Sequence, residues 1–322
     1  MLKVKNLSFS YPQLTKPTLQ NINLSVDKNE IVALVGPSGS GKSTLLKLIS
    51  GLLDAESGNV FLNNERVIGP SEQLVAGHPK IKIIHQDFKL MPHHTVTENI
   101  EIHLRNLVDK YKFRRINEML KLCKLEKLKD KKPYELSGGE KQRLAIAKTL
   151  ADEPHLLLMD EPFTALDNIL KNEIIDDIFE IVENSGISTL FVTHDTKDAI
   201  SYSQRVLVMK AGKIVSNDSP ENTYQQPKNK FVAELFGNAN IVNGSFSKIL
   251  GLNINTESNL LIRYEDIHEI PNGFEATVLE SRYMGFGYEN KIEVANQVTL
   301  KMWTNEKPDS TVRIKIFRFW EM

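Results

Sequence analysis

A lysine set in a glycine- and serine-rich run, Gly36-Pro37-Ser38-Gly39-Ser40-Gly41-Lys42-Ser43-Thr44, carries the strongest chemical signal in this chain of 322 residues. The spacing is that of a phosphate-binding loop, G-x-x-x-x-G-K-[ST]. Glycines let successive backbone N–H groups turn into one concavity that suits anionic oxygens, and a helix opening at the end of the loop adds partial positive charge. Lys42 supplies a full charge to the β- and γ-phosphates of a nucleoside triphosphate, and the Ser43 hydroxyl is a ligand of the type Mg²⁺ takes. A second candidate lies far along the chain, where Leu156-Leu157-Leu158-Met159 runs into the adjacent carboxylates Asp160 and Glu161. Asp160 is placed to hold Mg²⁺ through its water shell, and Glu161 to polarise a water that attacks the γ-phosphate. An acidic strand end is common, and this one gains its meaning from the phosphate loop.

These groups need elements to hold them. Residues 30–35 read as a buried strand entering the loop. Residues 43–49 read as the helix leaving it, with Leu45, Leu46, Leu48 and Ile49 on its apolar side. Residues 81–84, 156–160 and 189–192 are further short apolar runs, the pattern of parallel strands buried on both faces and covered by helices. A helical block over 96–129 interrupts them, with Ile100, Leu104 and Leu107 on one face and Ile116, Met119, Leu120 and Cys123 on another. Composition changes near 217–220 and again near 236–240. The expectation is an α/β nucleotide-binding domain over 1–236, with an inserted helical subdomain at about 87–135, and a small all-β domain over 237–322. In the latter, residues 297–302 and 311–316 alternate, and turn signals stand at 271–273, 285–287 and 305–309, which suggests a small barrel or sandwich.

Composition narrows the function. A net charge of −1 offers no footprint for nucleic acid or an anionic membrane surface. The single cysteine, Cys123, excludes an intrachain disulfide and reads as a small core residue. No apolar run approaches the roughly 20 residues of a spanning helix, and residues 1–6 hold no apolar signal core. The expectation is a cytoplasmic chain, soluble or peripheral to a membrane. His78, His85, His93 and His94 match no metal-ligand spacing, and the charge run 127–132 reads as a solvated face.

Leu136-Ser137-Gly138-Gly139-Glu140, followed by Lys141-Gln142-Arg143-Leu144-Ala145-Ile146-Ala147, is a second glycine-rich loop opening a helix. Lying between the phosphate loop and the carboxylate strand, it resembles the signature sequence of ATP-binding-cassette (ABC) ATPases. The resemblance runs from about residue 2 to 236. It implies a P-loop ATPase fold that binds ATP and Mg²⁺. It also implies Tyr11 as the aromatic that stacks on adenine, although such a tyrosine alone reads as a packing residue. Gln86 is implied as the glutamine that touches Mg²⁺ and the attacking water, Asp167 as part of the loop that contacts the partner subunit, and His194 as the histidine that reaches the γ-phosphate. Ser137, Gly138, Gly139 and Glu140 would face ATP held by a second copy, so two copies pair head to tail.

Residues 85–93 and 161–167 resemble the versions found in importer ATPases for iron, polyamines, sulfate, molybdate and sugars. Ile262-Arg263-Tyr264-Glu265-Asp266-Ile267 resembles the Arg-Pro-Glu-Asp strand entry of those importers, with Tyr264 in place of proline. The strands that follow resemble their transport-associated OB-like domain. The implied function is the ATP-hydrolysing subunit of an importer at the cytoplasmic face of the inner membrane. It would work with separate permease subunits and, indirectly, a solute-binding protein, with ferric iron or polyamine as cargo. The ATPase of an ABC exporter and a soluble, non-transport cassette ATPase are the alternatives. The tail has no clear aromatic-basic platform for nucleic acid.

Overall fold

The computed structural model describes the chain apart from residues 14, 85–87, 106, 164–170, 253, 255–256 and 296 and the side chains of residues 103 and 171. It divides into two compact units, Met1–Pro220 and Glu221–Met322. In chain order the first unit contains β1 (Leu2–Phe9), β2 (Leu19–Val26), β3 (Ile31–Val35), α1 (Lys42–Ile49), β4 (Ser57–Leu62), β5 (Glu65–Arg66), β6 (Ile81–Ile84), α2 (Val96–Glu101), α3 (Asp109–Leu122), α4 (Gly138–Ala151), β7 (Leu156–Asp160), α5 (Lys171–Ser185), β8 (Ser188–Thr193), α6 (Thr196–Tyr202), β9 (Arg205–Lys210) and β10 (Lys213–Asp218).

A six-stranded sheet of order β10-β9-β3-β8-β7-β6 forms its centre, parallel except for the antiparallel edge strand β10. Every residue of β3 and β8 is buried, as the unbroken apolar runs require of strands covered on both faces. An antiparallel sheet of order β2-β1-β4-β5 lies over α1. Leu45, Leu46, Leu48 and Ile49 of that helix join strand residues of both sheets in one core. Register brings the strand ends to a common level: Val35 pairs with Thr193, and Asp160 with Val192. The carboxyl edge of β3, β8 and β7 is therefore where side chains from distant parts of the sequence converge, the usual ligand edge of an open parallel sheet.

The helical block runs from α2 to α4. Thr95 caps α2 in a reciprocal capping box with Glu98. Ile100 and Leu104 are buried as expected, but Leu107 is exposed. The α-helix ends at Glu101 and a 3₁₀ turn at Ile102–Leu104 follows it, so Leu107 lies in a bend beyond the helical face. Cys123 is fully buried, and burial pushes its thiol up to about 12.

The second unit takes in α7 (Pro220–Gln225), α8 (Lys230–Leu235), β11 (Ala239–Asn243), β12 (Asn259–Arg263), β13 (Ile267–Tyr283), β14 (Tyr288–Val294), β15 (Val298–Thr304), β16 (Thr311–Ile316) and β17 (Trp320–Glu321). These strands make two antiparallel sheets, β11-β12-β17 and β15-β14-β13-β16, the all-β architecture expected of an OB-like tail. Val298, Leu300 and Met302 face its core, as do Val312, Ile314 and Ile316, so the alternating runs are amphipathic strands. The residues at 271–273 are not a turn. They lie within β13, where a bulge lets both Glu269 and Phe274 pair with Ile314. Gly273 makes the bulge possible: a Cβ there would lie 2.4 Å from the Ile314 carbonyl oxygen.

The division between units falls after Pro220, at the first of the two composition changes, whereas the expected domain bound was 236/237. Arg263, with no solvent exposure, explains the difference. Its guanidinium lies 4.1 Å over the Tyr224 ring and donates to the Tyr224 carbonyl at 2.6 Å and the Ala233 carbonyl at 3.0 Å, tying both short helices to β12.

Candidate nucleotide site

The glycines of the loop after β3 have specific tasks. A Cβ on Gly36 would lie 2.2 Å from the Met209 carbonyl oxygen, so only glycine lets the strand end pass β9. Gly41 has φ +103° and stands at the N-terminus of α1, a left-handed position that disfavours other residues. The buried Ser40 carries its carbonyl to the N–H of Gly212 at 3.1 Å, so the β9–β10 turn props the loop from behind. Pro37, Ser38 and Gly39 form an exposed crest.

Lys42 is only 6% exposed. Its ammonium donates to the carbonyls of Gly36 at 2.8 Å and Pro37 at 3.0 Å, which holds the charge beneath the loop. Burial pushes its pKa down, and the nearby carboxylates of Glu161 and Asp160 act in the opposite direction. Ser43, the next residue, is exposed, and its hydroxyl donates to Asp160 Oδ1 at 3.0 Å. Thr44 Oγ1 lies 3.4 Å from the Tyr11 hydroxyl. The half-buried Tyr11 ring sits edge-on to Phe9 at 4.8 Å.

Ser43 and Asp160 come from α1 and β7, yet their oxygens share one spot. Hard oxygen donors fit Mg²⁺, which usually keeps one or two protein ligands and completes its octahedron with water and phosphate. Glu161 follows at the end of β7 with φ +47°, a left-handed conformation that is costly for a residue with a side chain. Its N–H donates to the Val192 carbonyl at 3.1 Å. Its carboxylate lies 3.3 Å from Nδ1 of His194, an exposed residue just beyond β8. The structure thus gathers Lys42, Ser43, Asp160, Glu161 and His194 at one sheet edge. Gln86 and Asp167 lie outside the described residues.

The loop before α4 has a local design that the glycines had masked. Ser137 is the N-cap. Its hydroxyl accepts from the Glu140 N–H at 3.3 Å, and the Glu140 carboxylate accepts from the Ser137 N–H at 2.7 Å. That backbone hydrogen bond holds the Glu140 pKa down. The pattern S-x-x-E is a capping box and was readable from sequence. Ser137 and Gly138 remain exposed. Gln142, one turn further, was not singled out by sequence: it is buried and donates to the Pro162 carbonyl at 2.9 Å, beside Glu161.

A parallel-sheet P-loop, a carboxylate strand end and a capped glycine-rich helix between them define an ATP-binding-cassette ATPase. Residues 19–164 match the family described as ABC transporter. A spermidine/putrescine import ATP-binding protein PotA of Borreliella afzelii is 35% identical over 91% of this chain and 89% of its own length. Its counterpart in Borrelia garinii subsp. bavariensis is 34% identical over the same shares. Among solved structures, the ATP-binding cassette MJ0796, dimeric in a post-hydrolysis state with ADP and Pi, is 32% identical. It matches 68% of this chain and 99% of its own with a TM-score of 0.57. The cbiO1 protein of Clostridium perfringens, part of the transporter complex cbiONQ, is 31% identical over 69% of this chain and 89% of its own, with a TM-score of 0.62.

This chain belongs to the ABC transporter family, as an importer-type ATPase subunit that binds and hydrolyses ATP. Among the described residues no helix is long and apolar enough to cross a membrane.

Proposed function

We propose that the chain energises the import of polyamines such as spermidine and putrescine. The similarity to polyamine-import subunits extends over 91% of the chain and so includes the β tail as well as the ATPase unit. In this reading two copies pair head to tail, each phosphate loop facing Ser137, Gly138, Gly139 and Glu140 of the other, with Asp167 in the loop between them. The dimeric cassettes among its structural neighbours support that arrangement. The pair docks on separate permease subunits at the cytoplasmic face of the membrane, and a solute-binding protein delivers the cargo. The cbiO1 neighbour, part of a transporter complex, supports a permease partner.

Phosphoryl transfer asks the protein for positioning and electrostatics more than for covalent chemistry. The backbone N–H groups of residues 38–44 and the Lys42 ammonium bind the phosphates. Tyr11 supports the adenine. Ser43 and Asp160 would hold Mg²⁺, Gln86 is proposed as a further contact to it, and the ion when bound would offset phosphate charge. Glu161 accepts the proton of the attacking water. His194, paired with Glu161, reaches the γ-phosphate and orients the carboxylate. Reconstitution with the permease tests the cargo. ATPase activity should rise when the solute-binding protein carries spermidine or putrescine. Stimulation by a ferric-iron-loaded protein, with none from polyamine, would reject it.

A further inference from the structure

Gln142 is a fully buried polar side chain with no part in the phosphate chemistry above. Its Nε2 donates to the Pro162 carbonyl, while among the described residues its buried Oε1 has no hydrogen-bond partner. An amide buried with half its capacity unmet costs free energy that an apolar side chain would not. The place it touches gives the reason for retaining it.

Pro162 follows Glu161, whose left-handed backbone persists only where the surroundings over-determine it. The Glu161 N–H to the Val192 carbonyl holds the turn on the strand side. Gln142 holds the Pro162 carbonyl on the other side, and Phe163 beyond it is buried 5.7 Å from the Phe179 ring. The pin from Gln142 comes from α4, the helix opened by the Ser137–Glu140 box. The neighbouring Arg143 joins that helix to Asp177 of α5 at 2.9 Å.

We propose that Gln142 is a positioning residue: it ties the signature helix to the Glu161–Pro162 turn, so that the seating of α4 sets how the Glu161 carboxylate is presented to water. The inference rests on Glu161 being the general base. In a head-to-tail dimer the Ser137–Glu140 loop of one copy meets the other copy's ATP. Through Gln142, nucleotide bound at one site would be felt at the base of the second.

Steady-state kinetics on the full chain test this, with Gln142→Met and Gln142→Asn made in the parent and in a Glu161→Gln background. Gln142→Met should lower kcat about 10–100-fold, the cost of a displaced catalytic group. The KM for ATP should stay within about twofold, and the Hill coefficient should fall toward one. Gln142→Asn, which keeps a shorter amide, should fall between and carries the comparison if Gln142→Met does not fold. In the Glu161→Gln background the same changes should leave the residual turnover within about twofold, because the group they position is gone. Equal losses in both backgrounds, a raised KM at unchanged kcat, or parent kinetics would overturn the proposal. Parent-rate turnover by Glu161→Gln alone would instead reject the base, and the proposal with it.

Discussion

Lys42 and Glu161 belong to one charge cluster, but their surroundings give them different tasks. The Lys42 ammonium is buried beneath the loop on two carbonyls, where its charge is poorly screened and charge-assisted bonds to phosphate are strong. Lys42→Ala should lose most ATP affinity, and calorimetry showing parent affinity would count against the site. In the proposed mechanism Glu161 addresses water rather than phosphate. Glu161→Gln keeps its shape and removes its basicity, so ATP binding should survive. Turnover should fall roughly 10²–10⁴-fold, or about 3–5 kcal/mol of barrier. With ATP and Mg²⁺ the variant should accumulate as a dimer on size-exclusion chromatography, with phosphate release nearly absent.

At the scale of elements, the sheet edge works only if β3 and its neighbours keep their register. An ion pair at the far end of the strand secures it. Arg205 Nε and Nη2 each lie 2.8 Å from the Glu30 carboxylate, which also accepts from the Asp27 N–H at 2.7 Å. Burial works against ionisation of Glu30. The Arg205 hydrogen bonds, the Asp27 N–H and the Arg205 charge outweigh it and hold the carboxyl below its ordinary range. A pKa lowered on folding gives stability that is complete above the unfolded carboxyl value of about 4.3 and is lost as pH falls through the folded one. Arg205→Met should cost toward the low end of the roughly 3–5 kcal/mol of a broken buried pair, since both partners keep some exposure. In denaturant titrations of the first unit, the gap between parent and Glu30→Gln should hold from pH 7 to about pH 5 and shrink as pH falls further below about 4.3. A constant gap would place the effect elsewhere.

At the scale of the whole molecule, every described residue proposed to face the nucleotide precedes Pro220. A chain ending at Pro220 should therefore bind and hydrolyse ATP, and a folded truncation without activity would show that the β unit completes the dimer. A chain ending at Phe236 keeps α7 and α8 but removes the Arg263 that anchors them, so those residues should exchange amide hydrogens rapidly. Arg263→Leu in the full chain should show the same loss of protection in residues 220–235 with unchanged ATP affinity. Protection equal to the parent would mean that Arg263 does not hold them.

The phosphate loop, the carboxylate strand end and the glycine-rich start of the signature helix were legible because each is a local device. Glycine geometry, a helix start and an acidic strand end depend on residues within a few positions, and side-chain period alone reported the inward faces of β15 and β16. Tertiary structure decided the rest. The meeting of Ser43 with Asp160 and of Glu161 with His194 follows from the strand order β3-β8-β7, which no short segment encodes. Gly273 looked like a turn because its need for a bare Cα comes from the backbone of Ile314, distant in sequence and adjacent only through strand pairing. Leu107 left the apolar stripe because the helix stops short of it. Gln142 looked like any polar helix residue until Pro162 was packed against it. The chain by itself determined which groups could handle a nucleotide. Only packing determined which of them share a space, because burial, strain and hydrogen-bond partners belong to neighbours distant along the chain.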